Sequence, residues 1–235
     1  MIRSVAKSST ASMQPILDRS SLTGLTPERR LVGRNLSKAD VLLYRVAGGP
    51  VAVKDYKGRP FWVRQTLGRA LVRRECRAYV RAGAARGLAP FLGRLGPFTF
   101  ATTWIDSVPL VELPRDVASP EVFDRLDAIV AGLHERGVAI CDLHHRDVLV
   151  AADGAVFIVD LAAAYVLPAR PGAFRRSVFA RLCAQDRLAV SRMRARFTGV
   201  PEDDALAALS PGTVRLWWAG RKIKSFWDLL RGKRT

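Results

Sequence analysis

Hydrophobic positions are weakly patterned over residues 1–30, then fall into short strand-like runs interrupted by one helical spacing, and into mostly helical spacings with one hairpin after residue 105. Two apolar runs, Val41–Val46 and Pro50–Val53, flank Ala47-Gly48-Gly49, where glycine supplies the turn of a β-hairpin. From Arg64 to Arg81 the apolar residues Leu67, Ala70, Leu71, Ala78 and Val80 recur nearer to every 3.6 residues than to every second one, which predicts a basic helix. Residues 89–105 read as two more strands, punctuated by Gly93 and Gly96-Pro97. Ser119-Pro120-Glu121 then opens a helix, with serine at the N-cap, proline in the first turn and an acid near the positive end of the dipole. Val122, Leu126, Ile129, Val130 and Leu133 form its apolar face, and Gly137 is placed to cap its end. A loop carries Cys141 to Arg146, and a second hairpin follows: Val148-Leu149-Val150, the turn Asp153-Gly154, then Val156-Phe157-Ile158-Val159. From about Phe174 onward the chain reads as helical.

This order, strands with one helix and then helices with one hairpin, predicts an α+β fold of two lobes sharing a cleft. Residues 1–30, rich in Ser and Thr, read as a loosely ordered leader that partly docks; residues 31–105 form a small antiparallel β lobe with one helix; residues 106–235 form a mostly helical lobe. At 235 residues with 49% hydrophobic content, a packed core is expected.

Charge adds a second constraint. Lys and Arg number 38 against 21 Asp and Glu, a formal net charge of +17. Such a field draws polyanions, whether nucleotides, nucleic acid or an anionic membrane surface. No nucleic-acid reading motif accompanies it, so nucleic acid is not the expected partner. The three cysteines, Cys76, Cys141 and Cys183, lack the spacing of a disulfide framework or a zinc site; a reducing, cytoplasmic setting and small buried hydrophobes are the simpler expectation. The start of the chain lacks the apolar stretch of a signal peptide, and no run approaches the roughly 20 apolar residues that span a bilayer. In the C-terminal segment Leu216, Trp217, Ile223, Phe226, Trp227 and Leu230 alternate with Arg215, Arg221, Lys222, Lys224, Arg231, Lys233 and Arg234. That pattern suits either a helix lying at the inner membrane surface or a last helix packed on the α lobe.

The chemistry concentrates in three acids: Asp142 and Asp147 in one loop, and Asp160 at the end of the following hairpin. A hairpin of that length folds Asp160 back beside Asp147. Three converging carboxylates repel one another and call for cations or a shared proton. Magnesium with a triphosphate supplies the cation through hard oxygen ligands, and the remaining acid is free to take the proton of an attacking hydroxyl.

These spacings resemble the catalytic loop and metal-binding aspartate of the protein-kinase-like superfamily. Asp142 matches the catalytic base and Asp160 the aspartate of the Asp-Phe-Gly motif; Leu161-Ala162 stands for Phe-Gly, and Asp147 stands where an asparagine is usual. His144 takes the place of the loop lysine that touches the transferred phosphate, and His134 matches a structural histidine. Val51-Ala52-Val53-Lys54 looks like the strand lysine that holds the α and β phosphates, and Glu75 falls where its partner glutamate belongs. Trp104-Ile105-Asp106 lies at the expected interlobe hinge facing adenine, and residues 32–37 would cover the phosphates in place of a Gly-x-Gly-x-x-Gly loop. More narrowly, Asp142-Leu143-His144-His145-Arg146 resembles the loop of the lipopolysaccharide core (Kdo/heptose) kinases.

The resemblance implies ATP and Mg2+ as cofactors, Asp142 and His144 as catalytic residues, Lys54, Glu75, Trp104, Ile105 and Asp106 around the nucleotide, and Asp147 and Asp160 as metal ligands. It implies a kinase acting on an alcohol group. The short stretch between Asp160 and the next helix favours a small or glycolipid acceptor, and the basic surface an anionic one such as lipopolysaccharide inner core. A reduced bacterial serine/threonine protein kinase and a pseudokinase that binds a partner without transfer are the alternatives.

Overall fold

The structure is a computed structural model that describes Leu17 and residues 20–33, 38–113 and 119–199. Most of the leader, residues 34–37 of the expected phosphate-covering loop, and the amphipathic C-terminal segment lie outside the described residues.

The upper lobe is built on a five-stranded antiparallel sheet of β1 (Arg29–Leu31), β2 (Asp40–Val46), β3 (Gly49–Asp55), β4 (Phe91–Gly96) and β5 (Thr99–Thr103), in the order β1-β2-β3-β5-β4. The hairpin β2–β3 closes on the pair Val46↔Gly49, as the glycine signal predicts, and Gly49 has φ +110°. Leu17 adds to the outer face of this lobe, its N–H donating to the Leu92 carbonyl at 2.8 Å. Strand β1 is absent from the sequence reading; Arg-Arg-Leu has no alternation to betray it, and all three residues are exposed.

Alternation along β3 sorts its residues between two faces. Val51 and Val53 point to a small cluster with Leu95 and Ala101. Lys54 points the other way, beside Phe100, its partner across β3–β5. On that face lies a helical stretch longer than the periodicity indicates. It comprises α1 (Phe61–Val63), a π-helical turn Arg64–Gly68, and α2 (Arg69–Ala82). Val72, Glu75, Cys76, Tyr79 and Ala82 recur every three or four residues and form its buried stripe. Glu75 therefore sits among hydrophobic neighbours and points at the sheet.

The lower lobe contains α3 (Pro120–Glu135) packed on α4 (Ala173–Thr198). The helix signals at 119–121 and near 174 mark both starts to within a residue. Ser119 stands at the N-cap of α3, but its side chain makes no capping hydrogen bond to the backbone; the hydroxyl interacts with the Glu121 carboxylate instead. Gly137, at φ +76°, ends the helix as expected, donating to the His134 carbonyl. Short strands complete the lobe. They are β6 (Val108–Pro109), β8 (Val148–Val150) and β9 (Val156–Ile158) in one sheet, and β7 (Val138–Ala139) with β10 (Tyr165–Val166) in another. One core runs through both lobes, from Val72, Tyr79 and Phe100 to Leu126, Leu133, Ile140 and Leu161. The lobes are also joined by backbone: Ile158 donates to the Gly87 carbonyl at 2.8 Å, and Leu88 bridges Ile158 in parallel.

Candidate active site

The sheet and the helix above it bring an ammonium and a carboxylate together. Lys54 Nζ lies 2.6 Å from Glu75 Oε1 and 5.8 Å from the centre of the Phe100 ring. The Glu75 side chain is 1% exposed. Burial raises its carboxyl above the ordinary value, and the Lys54 charge pulls it back. Burial works in the opposite sense on Lys54, but Glu75 and Asp160 outweigh it, so the lysine is held firmly protonated. Glu75 Oε1 also accepts the N–H of Leu161 at 3.2 Å, tying α2 to the segment after β9.

The hairpin β8–β9 returns Asp160 to this pair. Its Oδ1 is 3.6 Å from Lys54 Nζ and accepts the Ala162 N–H at 3.0 Å. Burial opposes ionisation of Asp160, yet Lys54 and Lys38 prevail and hold it down at about 2. Asp147 enters through the backbone: its N–H donates to His144 O at 2.9 Å, and its carbonyl accepts Val159 N–H at 3.0 Å, the residue preceding Asp160. Its carboxyl is pushed up to about 6 by burial and then by the charge of Asp160. Asp160, firmly ionised, and the more basic Asp147 are carboxylates that can hold a hard cation together with phosphates and water, beside the Lys38 and Lys54 ammonium groups. Among the described residues no three His, Cys, Asp or Glu side chains form a group that could hold a metal ion by themselves.

Asp142 is exposed at the start of the same loop, and its charge acts on both Asp147 and His144. His144 is exposed, and burial followed by Arg146 lowers its basicity. Trp104, Ile105 and Asp106 form the link from β5 to β6. Trp104 N–H is committed to the Pro50 carbonyl at 3.0 Å, Ile105 O accepts the Ser107 hydroxyl at 3.1 Å, and exposed Asp106 lines a cavity of about 530 Å³ with Val108, Arg125 and Val150. Lys54, Glu75 and Asp160 are not among the residues that line it.

Two residues of the site escape the sequence reading. Asp186, 1% exposed on α4, accepts the N–H of Ile140 at 2.7 Å, that of Cys141 at 2.8 Å, and His134 Nε2 at 2.9 Å. It fixes the loop just before Asp142, where Cys141 adopts φ +70°, a left-handed conformation rare outside glycine. Cys141 is accordingly half-exposed at a strained turn, whereas Cys76 and Cys183 are the buried hydrophobes expected of all three. The signal for Asp186 is present: Cys183, Asp186, Val190, Met193 and Phe197 mark the inward stripe of α4, and only one of them is charged.

Lys38 is the second. Its Nζ lies 2.6 Å from Asp160 Oδ2. Burial disfavours its charge, but the hydrogen bond and charge of Asp160 raise its affinity for the proton. The base of its loop is clamped. Asp40 accepts Gly33 N–H at 3.0 Å and pairs with Arg30 and Arg59 at 2.6 and 2.5 Å, and a side chain at Gly33 would overlap Arg59 and the Lys38 carbonyl.

Compared by sequence, the chain matches no family model and none of the curated proteins. Compared by structure, it is similar to the Rio2 kinase of Chaetomium thermophilum, solved as an ADP/Mg2+-phosphoaspartate complex. The TM-score is 0.52 at 14% identity, covering 80% of this chain and 62% of the other, so this chain spans a little under two thirds of that kinase. The fold is protein-kinase-like: a small antiparallel β lobe with one helix above a mostly helical lobe.

Proposed function

We propose that the chain is an ATP-dependent phosphotransferase that modifies a hydroxyl of an anionic sugar or glycolipid. The observation that carries this reading is the convergence of Lys54, Glu75 and Asp160 from three distant parts of the chain within 3.6 Å contacts. Lys54, oriented by Glu75, meets the nucleotide phosphates as a fixed charge. Asp160 and Asp147 hold Mg2+, whose role when bound is to neutralise charge on the transferring phosphoryl group. Asp142, exposed at the loop start, accepts the proton of the acceptor hydroxyl, and His144 faces the same region. The link 104–106 borders the adenine end of the cleft.

The segment between Asp160 and α4 supports the choice of acceptor. Only Leu161 to Gly172 intervenes, and part of it is spent as β10 pairing with β7. So short a segment offers little surface to align a peptide, which favours a small acceptor. The charge of +17 favours an anionic one, and lipopolysaccharide inner core combines both properties. Action at the inner face of the cytoplasmic membrane, with the basic C-terminal segment as the contact, belongs to the same proposal. The similarity to the Rio2 kinase keeps a reduced serine/threonine protein kinase as the second reading.

The test is magnesium-dependent phosphoryl transfer from ATP to deacylated lipopolysaccharide, set against basic protein substrates. Asp142→Ala should abolish transfer and leave ATP binding intact. Transfer to protein alone would move the assignment to the second reading, and ATP binding without turnover in the parent protein would mark a pseudokinase.

A further inference from the structure

We propose that the cavity between the Asp142–Asp147 loop and α4 is a binding site for an anionic substituent, phosphate or carboxylate, on the acceptor sugar. This deepens the proposed phosphotransferase reading and rests on it for the word acceptor. The cavity encloses about 480 Å³, within the range that takes a sugar with one charged group. One wall is Leu143, His144 and His145; the other is α4, with Arg192 and Arg196 four residues apart on one helical face and Met193 between them.

The polar groups of this wall are arranged, not scattered. The His144 and His145 rings stand 3.9 Å apart, centre to centre, so their edges open on the same space. His145 leans on Phe197 at 6.2 Å, and the Arg196 guanidinium lies 5.9 Å from that same Phe197 ring. Arg196 thus shares one aromatic support with His145, and its charge reaches both imidazoles. The neighbouring Arg194 faces away and is satisfied by Asp124 at 2.8 Å and Asp127 at 2.9 Å. Among the described residues Arg196 has no carboxylate within 4 Å. A guanidinium fork and imidazole edges converging on one cavity match the oxygens of a phosphate or carboxylate.

Position gives the cavity its purpose. His144 belongs to both the cavity wall and the loop that begins at Asp142, and Asp142 is the acid whose charge His144 feels. An acceptor anchored by its anion on Arg196 would present a hydroxyl to Asp142 without using Lys54 or Asp160, which serve the nucleotide.

The experiment uses the full chain without nucleotide. Glucose 6-phosphate, glucuronate and neutral glucose are titrated by calorimetry while the imidazole signals of the three histidines are followed by NMR at fixed pH. Both anionic sugars should bind and move the His144 and His145 signals while leaving His134 in place, and glucose should do neither. Arg196→Gln should weaken the anionic sugars by about tenfold, the loss of one charge-assisted contact, and Arg196→Lys should restore much of that affinity. A phosphate-only or carboxylate-only response would name which anion is read. Binding that is equal for glucose, or unchanged in Arg196→Gln with the parent melting temperature retained, overturns the site. Because ATP is absent, this result stands apart from the phosphotransferase test: a protein that turns over ATP yet ignores both anions loses only this inference.

Discussion

Replacing Lys54 by methionine isolates the interaction on which the site depends. The substitution keeps most of the apolar stem against Phe100 but leaves the Glu75 carboxylate, 1% exposed, without its cation. Breaking a buried pair by removing one partner costs about 3–5 kcal/mol, because the other charge stays buried. Lys54 is 18% exposed, so some solvent reaches the gap and the lower figure applies. For a domain of this size each kcal/mol moves the melting temperature by about 2–4 °C, which predicts a fall of about 6–12 °C. Thermal unfolding followed by circular dichroism reads it. The sign with pH is fixed as well. Without Lys54, burial and then the Asp160 charge raise the Glu75 carboxyl further, against only the Leu161 N–H, so the native state holds the proton more tightly than the unfolded chain does. The deficit should therefore be small below the ordinary glutamate range, about pH 4, and grow as pH rises through neutrality. Lys54→Met/Glu75→Gln should regain most of the loss, since glutamine still accepts the Leu161 N–H without a charge. A single variant that melts with the parent at pH 8, or a double variant no better than the single one, would refute the buried-pair account.

The other residues give shorter tests. Lys38→Met removes an ammonium 2.6 Å from Asp160 Oδ2, so Mn2+ binding without nucleotide, read by electron paramagnetic resonance, should tighten by about tenfold; unchanged affinity would show that Lys38 does not compete for that oxygen. Asp147 carries a carboxyl raised to about 6, so its charge destabilises the fold increasingly as pH climbs from about 4 to 6 and fully above that. Asp147→Asn should thus gain about 1–3 kcal/mol in urea unfolding at pH 8 and nothing near pH 4. Asp186→Asn should cost about 1–3 kcal/mol by leaving a buried N–H of Ile140 or Cys141 poorly satisfied, with faster amide exchange at those two residues and little change in ATP affinity.

The fold is readable where a local rule and the tertiary need coincide. Gly48-Gly49 and Asp153-Gly154 name their turns because only those conformations close the hairpins, and Ser119-Pro120-Glu121 marks a helix start that packing leaves alone. β1 is invisible because an exposed edge strand of Arg-Arg-Leu is held by backbone pairing to β2, which composition does not record. The π-helical turn at Arg64–Gly68 is equally silent: it lets Gly68 approach Tyr56, where a Cβ would stand 3.2 Å from the tyrosine Cβ, a demand set by the sheet and not by the helix. Lys54, Glu75 and Asp160 were legible through their spacing and resemblance, and geometry gathers them. Lys38 and Asp186 were not, since each acts over a long stretch of chain, Lys38 on Asp160 and Asp186 on Ile140 and Cys141, and nothing in their neighbours announces the partner.

The backbone bond from Ile158 to Gly87 gives the molecule a fulcrum. It ties the turn after the Glu75 helix to Ile158, two residues before Asp160, and Glu75 itself holds the Leu161 N–H just beyond, so the two acids are fastened to each other from both sides. Among the described residues, the Lys38 side of the site is tied to Asp160 by a side chain instead, Lys38 Nζ to Asp160 Oδ2. Such a contact can part without unpairing a strand, whereas losing the Ile158 bond would leave a backbone donor and acceptor without partners.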